Sequence, residues 1–299
     1  THPKVFDEFN RLVELTTNNK QRGYLRSPPS KDKSKDMDLM EYSLRATAKF
    51  ARNLGNIYII VNFEEEISKE VRSSISNLRV VLNSNFHNDT YFSASVSESV
   101  IHRIPGLSRL YLAMNDDMIL TQPVDLRTFF FTPTGTPRAF YGLDKTIESV
   151  HHLLHRLIGT TTKSIGMREQ LIFTRHHLEA AAGVDGHLPC LYPSHSPRPF
   201  DKAFVEAMQA LDPELFATPY QTRFRCRDCL NINIFPLLQS YEAHTLRRAK
   251  DYARLAYIDN LITWHRTLAC WNTIVSITLQ EVEPNLHSIV RDFLEEQLH

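Results

Sequence analysis

The run "NIYIIVNF", residues 56–63, is short, apolar and rich in β-branched residues, which is typical of a buried strand. A polar stretch with helical character, residues 64–76, follows it. The run "NLRVVLN", residues 77–83, resembles the first in composition and predicts a second strand. Strand, helix and strand in this order favour two parallel neighbours joined by a helical crossover.

The segments on either side continue this alternation. Apolar residues recur at helical spacing over 40–54, and Gly55 supplies a stop, so a helix precedes the first strand. A further helix is predicted over 93–103 and, after the turn at "IPGL", a third strand over 109–114. The sequence therefore predicts an α/β fold with a mostly parallel central sheet flanked by helices.

The second half of the chain has a different pattern. Beyond residue 145 the apolar spacing is mainly helical, so we predict a largely helical C-terminal half. The predicted helices are 145–158, 167–182, 201–211, 230–262 and 284–298. We divide the chain into an α/β part, residues 1–145, and a mainly helical part, 146–299, that completes the same domain. Within the first part, the polar segment 16–38 predicts a loop.

Composition excludes several classes of function. The formal net charge is zero, which argues against nucleic acid as a partner bound by bulk attraction. The chain has nine glycines and neither a Walker sequence nor G-x-G-x-x-G, and it also lacks H-E-x-x-H and G-x-S-x-G. Its apolar runs are far shorter than the roughly 18 to 20 residues that span a bilayer. The pair Cys226 and Cys229 leaves zinc, a redox pair, free thiols and a local disulfide open.

The stretch "YLAMNDDMIL", residues 111–120, places Asn115, Asp116 and Asp117 inside an apolar run. Two desolvated carboxylates are costly without cations or water, so the run either ends at a surface or delivers acids to a site. In an open α/β sheet, ligands bind outside the carboxyl ends of strands, which is where these acids fall. A solvated turn after an edge strand is the alternative.

Other candidates for chemistry lie on a helix and in loops. Glu98 and His102 are four residues apart on the helix over 93–103, so they share a face and could together position a hydroxyl or accept its proton. His195 lies in the Pro-flanked loop "YPSHSPRPF", with Arg198 nearby. In "TRFRCRD" the arginines alternate, which suits phosphate oxygens if the segment is extended: Arg223, Arg225 and Arg227. The alternatives are a surface pair for Glu98 and His102, a structural role for His195 and a solvated basic face for the three arginines.

Together these stretches resemble a known family. "MEYSLRATAKFARNLGNIYIIVN", followed by "YFSASVSESVIHRIPGLSRLYLAMNDDMIL", is similar to the second signature block of the Stealth sugar-phosphate transferases. That family includes bacterial capsule polymerases and the α/β subunits of N-acetylglucosamine-1-phosphotransferase. "PSHSPRPFDKAFVEAM" through "PELFATPYQTRFR" resembles the third block, with His195 and Arg225 on the family's His and Arg. The C-terminal "LACWNTIVSITLQEVEPNLHSIVRDFLEEQL" resembles the fourth more weakly.

The resemblance implies a nucleotide-sugar-transferase-like fold and a phosphotransferase reaction. Hexose 1-phosphate would pass from a nucleotide sugar, UDP-N-acetylglucosamine or GDP-mannose, to a glycan hydroxyl, and a nucleoside monophosphate would leave. Asp116 and Asp117 would hold Mg²⁺ or Mn²⁺ or else orient the acceptor, Arg225 would clamp phosphate, and His195 or Glu98 would be the base. The further residues expected to bind substrate or phosphate are Arg45, His102, Arg103, Asn115 and Asn272.

Departures from the family pattern keep alternatives open. The usual Asn-Asp of the fourth block is Asn272 and Thr273 here, and the family's "FNS" is Phe92, Ser93 and Ala94. We expect the given chain to lack the first block and with it a strand of the donor site. The alternatives are therefore a conventional glycosyltransferase or a catalytically degenerate glycan-binding paralogue. A homo-oligomer also stays open, as does the compartment: Golgi lumen or membrane in a eukaryote, cytoplasm in a bacterium.

Overall fold

A computed structural model describes residues 3–15, 39–131, 134–141, 167–183, 193–224, 226, 228–248, 253–258, 260–280 and 282–298 of the 299-residue chain. Four features singled out in the sequence lie outside the described residues: the loop 16–38, the helix 145–158, Arg225 and Arg227. The division of the chain at residues 145 and 146 stays a prediction.

The strand, helix and strand predicted over residues 56–83 are confirmed. Strands β1 (Ile57–Val61) and β2 (Leu78–Leu82) pair in parallel, with Ile57 opposite Leu78. The crossover contains helix α3 (Lys69–Ser74), which begins where the Ser68 hydroxyl accepts a hydrogen bond from the Val71 amide at 3.2 Å. Helices α1 (Pro3–Leu15) and α2 (Leu39–Phe50) precede this unit.

The third predicted strand forms, but with other neighbours. Strand β3 (Leu110–Ala113) pairs antiparallel with β8 (Arg198–Asp201), far along the chain. Strand β4 (Met118–Leu120) pairs antiparallel with β11 (Ser276–Gln280), and β11 pairs in parallel with β10 (Ala253–Tyr257). The described strands thus form several small sheets, and among them β1 and β2 are a separate parallel pair. Within the described ranges the expected mostly parallel central sheet is not seen, because β3 and β4 have antiparallel partners. Strand composition does not specify which distant strand becomes the neighbour.

The remaining helices are short to medium in length. In chain order they are α4 (Ala94–Val100), α5 (Leu126–Phe129), α6 (Met167–Ala182), α7 (Lys202–Leu211), α8 (Pro213–Ala217), α9 (Ile234–Glu242), α10 (Leu261–Leu268) and α11 (His287–Leu298). Four two-residue strands complete the numbering: β5 (Phe130–Phe131), β6 (Thr136–Pro137), β7 (Phe140–Tyr141) and β9 (Arg247–Arg248). The predicted helices 167–182, 201–211 and 284–298 are confirmed.

The prediction of one long helix over 230–262 is wrong. Helix α9 ends at Glu242, and His244 has a positive φ of 55°, which no right-handed helix can contain. The Thr245 hydroxyl then donates to the Pro137 carbonyl at 2.7 Å, which anchors the chain beyond the helix end. Apolar spacing alone does not reveal such a break, because a short apolar run such as β10 is compatible with a buried strand and with part of a helix.

Two large hydrophobic clusters meet at the connection between β3 and β4. The first cluster includes Ile119, Ile277 and Leu279, together with side chains from α2, α10 and α11. The second includes Tyr111 and Phe200, together with side chains from α6 and α9. The chain passes from the second cluster to the first at residues 114–117. The turn with the acids is therefore held rigidly from both sides.

Helix length bears on insertion into a membrane. Within the described ranges, no helix is long and apolar enough to cross a bilayer. The longest of them, α6, has 16 residues, whereas a transmembrane helix needs about 20.

The pairing of β11 with β4 predicts where the fold is most sensitive. Ile277 is fully buried and Ile262 is 64% exposed. Replacing Ile277 by Ala should lower the free energy of unfolding by about 2 to 5 kcal/mol, because the removed atoms leave a cavity between the two strands and their helices. The matched change Ile262→Ala should alter it by less than about 0.5 kcal/mol. Urea unfolding followed by circular dichroism measures both, and equal losses would contradict the assigned core.

Candidate active site

The turn between β3 and β4 carries Asn115, Asp116 and Asp117. The Met118 amide donates to the Asn115 carbonyl at 3.2 Å, which closes the turn. The Leu279 amide of β11 donates to the Asp117 carbonyl at 3.1 Å and so fixes the turn to the second half of the chain. The side chain of Asp116 is exposed, whereas those of Asn115 and Asp117 are half-buried. The apolar run therefore ends at a surface, where Asp117 is only partly accessible to solvent.

Arg198 is the cation that meets this turn. It is the first residue of β8 and lies opposite Ala113 of β3. Its Nη2 donates to Asn115 Oδ1 at 2.6 Å and lies 3.7 Å from Glu98 Oε1. Burial lowers the pKa of the Arg198 guanidinium, and the charges of Glu98 and Asp117 oppose this shift. An arginine pKa is so high that the side chain stays charged.

Glu98 comes to the same place from helix α4. Its Oε2 accepts a hydrogen bond from Asn233 Nδ2 at 3.2 Å, and its Oε1 faces Arg198. The side chain is 19% exposed, so solvent reaches it only in part. Four separate segments of the sequence thus meet in one cluster of polar side chains, which we call the Arg198 cluster: Glu98, Asn115, Asp117, Arg198 and Asn233.

His102, which we expected to act together with Glu98, is not a member of the Arg198 cluster. His102 is buried, its Nε2 lies 2.7 Å from Gln209 Oε1, and its ring meets the edge of Phe216 at a centroid distance of 5.9 Å. Burial lowers the pKa of the His102 imidazole, so the ring is neutral at pH 7. This environment is that of a packed core histidine, and a substrate-binding role for His102 stays a prediction.

His195 is held next to the Arg198 cluster by its main chain. Its carbonyl accepts from the Thr278 hydroxyl at 3.4 Å, and Thr278 lies opposite Met118 in the sheet. The preceding Ser194 is fixed by its amide, which donates to the Phe140 carbonyl at 3.1 Å. The imidazole of His195 is half-buried. The second half of the chain therefore places His195 and Arg198 near the turn between β3 and β4.

Arg45 has partners elsewhere in the fold. Its two terminal nitrogens each donate to the Glu295 carboxylate at 2.9 Å, and the Tyr42 hydroxyl donates to the same carboxylate at 2.9 Å. This paired, two-bond contact joins α2 to α11. Arg45 thus stabilises the packing of two helices, and contact with a phosphate stays a prediction.

The other expected binding residues are placed at the surface. The exposed Arg103 lies over the ring of Phe86, 5.6 Å from its centroid. Asn272 is exposed as well, and its carbonyl accepts from Gln122 Nε2 at 2.5 Å. Neither contact links them to the Arg198 cluster, so their role in binding is untested. Arg225, the expected phosphate clamp, lies outside the described residues.

The C-x-x-C pair forms a local disulfide between Cys226 and Cys229, with a Cα–Cα distance of 5.9 Å. Gln170 packs beside it and donates through Nε2 to the Cys226 carbonyl at 2.8 Å and to Ser95 Oγ at 3.1 Å. Of the alternatives left open by the sequence, the structure has the disulfide. Gln170 thus links Cys226 to Ser95 of helix α4.

Sequence reasoning missed Arg198 as a member of the site. It named Arg198 only as a neighbour of His195. The signal that was available is an arginine in a short stretch that is otherwise apolar, "PRPF", since buried charges in such strands are rare unless they are paired.

The turn between β3 and β4 lies in a part of the chain that matches a known family model. Residues 33–138 match the family model described as Stealth protein CR2, conserved region 2. The match covers α2, the β1 and β2 pair, α4 and the turn with Asn115, Asp116 and Asp117. The resemblance of this region to the second signature block is confirmed, whereas the resemblances to the third and fourth blocks stay predictions.

Individual relatives extend this similarity in part. The chain is 25% identical to the receptor polysaccharide phosphotransferase WefC of Streptococcus gordonii over 67% of this chain and 64% of that protein. It is 33% identical to WefC of Streptococcus oralis over 35% of this chain and 31% of that protein. It is 24% identical to the capsular polysaccharide phosphotransferase WcwK of Streptococcus pneumoniae over 74% and 70%. The chain thus spans less than two thirds of the two WefC proteins.

Burial of His102 predicts a pH dependence of stability. Its pKa is lowered in the folded protein, so below the ordinary value of about 6.5 the unfolded chain takes up a proton that the folded chain does not. Stability should therefore fall as the pH decreases from about 6.5, and His102→Gln should remove up to about 1.4 kcal/mol per pH unit of that slope.

Urea unfolding at pH 7, 6 and 5 measures this slope. The exposed His265 is the matched control, and His265→Gln should keep the wild-type slope. Burial also lowers the pKa of His87, but His87 is present in every protein compared. Parallel stability curves for wild type and His102→Gln would contradict a buried, neutral His102.

Proposed function

We propose that this chain transfers a hexose 1-phosphate from a nucleotide sugar to a hydroxyl group of a glycan. The product is a phosphodiester, and the leaving group is a nucleoside monophosphate. The observation that carries this proposal is the Arg198 cluster, in which two acids, two amides and a cation from four segments meet at the turn of conserved region 2. The names of the relatives, which are polysaccharide phosphotransferases, support the same class of reaction.

The reaction needs a base for the attacking hydroxyl, and His195 suits that role best. Its main chain is fixed at the cluster while its imidazole is half-buried, and histidine is the side chain whose ordinary pKa lies near neutral pH. Glu98 is engaged by Arg198 and Asn233 instead. We therefore assign proton acceptance to His195 and orientation of the acceptor to Glu98.

A divalent cation, Mg²⁺ or Mn²⁺, belongs to this proposal. In the described part of the chain no group of three or more His, Cys, Asp or Glu side chains is arranged around a metal position. Asp116 and Asp117 still fit a hard cation, because Mg²⁺ is often bound by one or two carboxylates and completed by substrate phosphates. The exposed Asp116 is the more accessible ligand, since Asp117 lies close to the Arg198 charge. When bound, the cation would neutralise phosphate oxygens.

The donor and the acceptor are named only by class. UDP-N-acetylglucosamine and GDP-mannose remain the two proposed donors, and the acceptor is a glycan hydroxyl. In-line transfer requires the phosphate to be positioned and its oxygens neutralised. We assign both tasks to Arg225 and to the cation that the Asp pair would hold.

A turnover assay tests the proposed reaction. The chain is incubated with each donor, Mg²⁺ and an oligosaccharide acceptor, and ³¹P NMR follows the phosphodiester and the released nucleotide. Asp117→Asn and His195→Gln should each lower kcat/KM by about 10² to 10⁴-fold, because each removes a group that acts in the transition state. The matched control is Asp125→Asn, since Asp125 is an exposed residue that pairs with Arg127 at the start of α5.

The released nucleotide separates the alternatives. A nucleoside diphosphate instead of a monophosphate would identify a conventional glycosyltransferase and contradict the proposal. Binding of the glycan without turnover of either donor would identify a binding protein. Loss of turnover with EDTA, and its return with Mg²⁺ or Mn²⁺, is the expected result for the cation.

A further inference from the structure

Arg198 is a buried cation, and within the described ranges its side-chain contacts lead to the proposed site. Its side chain is 7% exposed, and its Nη2 serves both Asn115 and Glu98. Its Nε is buried and has no hydrogen-bond partner within the described ranges. The side chain is thus held at one end only, on the side that faces the turn and helix α4.

Stability does not account for a charge at this position. Removing a guanidinium from water costs several kcal/mol, and a buried ion pair can often be replaced by apolar residues without loss of stability. The buried Nε adds the cost of an unmet donor. Phe200, two residues further along β8, packs in an apolar cluster. The position would therefore suit an aliphatic side chain if packing were its only task.

We infer that Arg198 is a positioning residue for the transfer reaction. It holds Asn115 of the Asp turn and Glu98 of helix α4 in fixed places, and its positive charge attracts two carboxylates, Glu98 and Asp117. This inference rests on the proposed function, because it assigns Arg198 to that same site. Burial keeps Arg198 from direct contact with substrate, so it acts through the residues it holds.

A stability series tests the contact without any need for turnover. Arg198→Met keeps most of the side-chain volume but leaves Glu98 part-buried without its cation, so the urea midpoint should fall. Adding Glu98→Gln should restore most of that loss, because the remaining charge is then removed as well. The two changes should therefore be strongly non-additive. Additive effects would overturn the inference.

A kinetic series tests the positioning role. Arg198→Met should lower kcat by about 10²-fold and change KM for the donor by less than about threefold, because the groups that act in the transition state are displaced. Arg198→Lys should restore only part of kcat, because it keeps the charge and loses the guanidinium geometry.

Arg109 offers a matched control on the same pair of strands. It forms a two-bond contact with Asp201 at 3.0 and 2.9 Å, but its side chain is 70% exposed. Arg109→Met should leave kcat unchanged. A wild-type kcat for Arg198→Met would also overturn the inference. Inactivity of the wild-type chain with every donor would contradict the proposed function instead, and the unfolding series would then decide on Arg198 and Glu98 alone.

Discussion

The burial of the Arg198 guanidinium is the constraint on which the arrangement of the site depends. A charge removed from water must be met by opposite charge and by hydrogen-bond acceptors at short range. In this chain those groups come from helix α4 and from the turn after β3, while the arginine itself comes from β8. None of the three segments satisfies the charge alone. The pairing of β3 with β8 is therefore coupled to the placement of Glu98.

The two hydrophobic clusters supply the rigidity that this charge needs. Tyr111 and Ala113 belong to one cluster, and Ile119 and Leu120 belong to the other, so the intervening turn is anchored at both ends. An amide and two acids between such anchors have little freedom to reorient. That lowers the entropy lost when a ligand binds there, which is the general benefit of a preorganised site. The match to conserved region 2 covers one side of this arrangement, and the second half of the chain provides the other.

Local features of the fold could be predicted from the sequence, but the long-range pairings could not. The composition of residues 56–83 determines a strand, a crossover helix and a parallel strand, and helical spacing correctly marks 167–182 and 201–211. The same reasoning failed at β3, because a four-residue apolar strand fits a parallel or an antiparallel neighbour equally well. It also failed at 230–262, where a break at His244 leaves no mark in apolar spacing. At the site, the Asp turn and His195 were identifiable by residue type. Arg198 was passed over, since its importance depends on burial and on partners about 80 to 100 residues away.

The pairing of β4 with β11 has a consequence for synthesis of the chain. Thr121, just after β4, bonds to the carbonyl of Ile274, a residue 153 positions further on. At typical translation rates of about 5 to 20 residues per second, β4 leaves the ribosome on the order of ten seconds before its partner exists. During that interval an apolar strand edge is uncovered, and such edges pair readily with other chains. The nascent chain therefore holds this edge without its native partner until β11 has emerged.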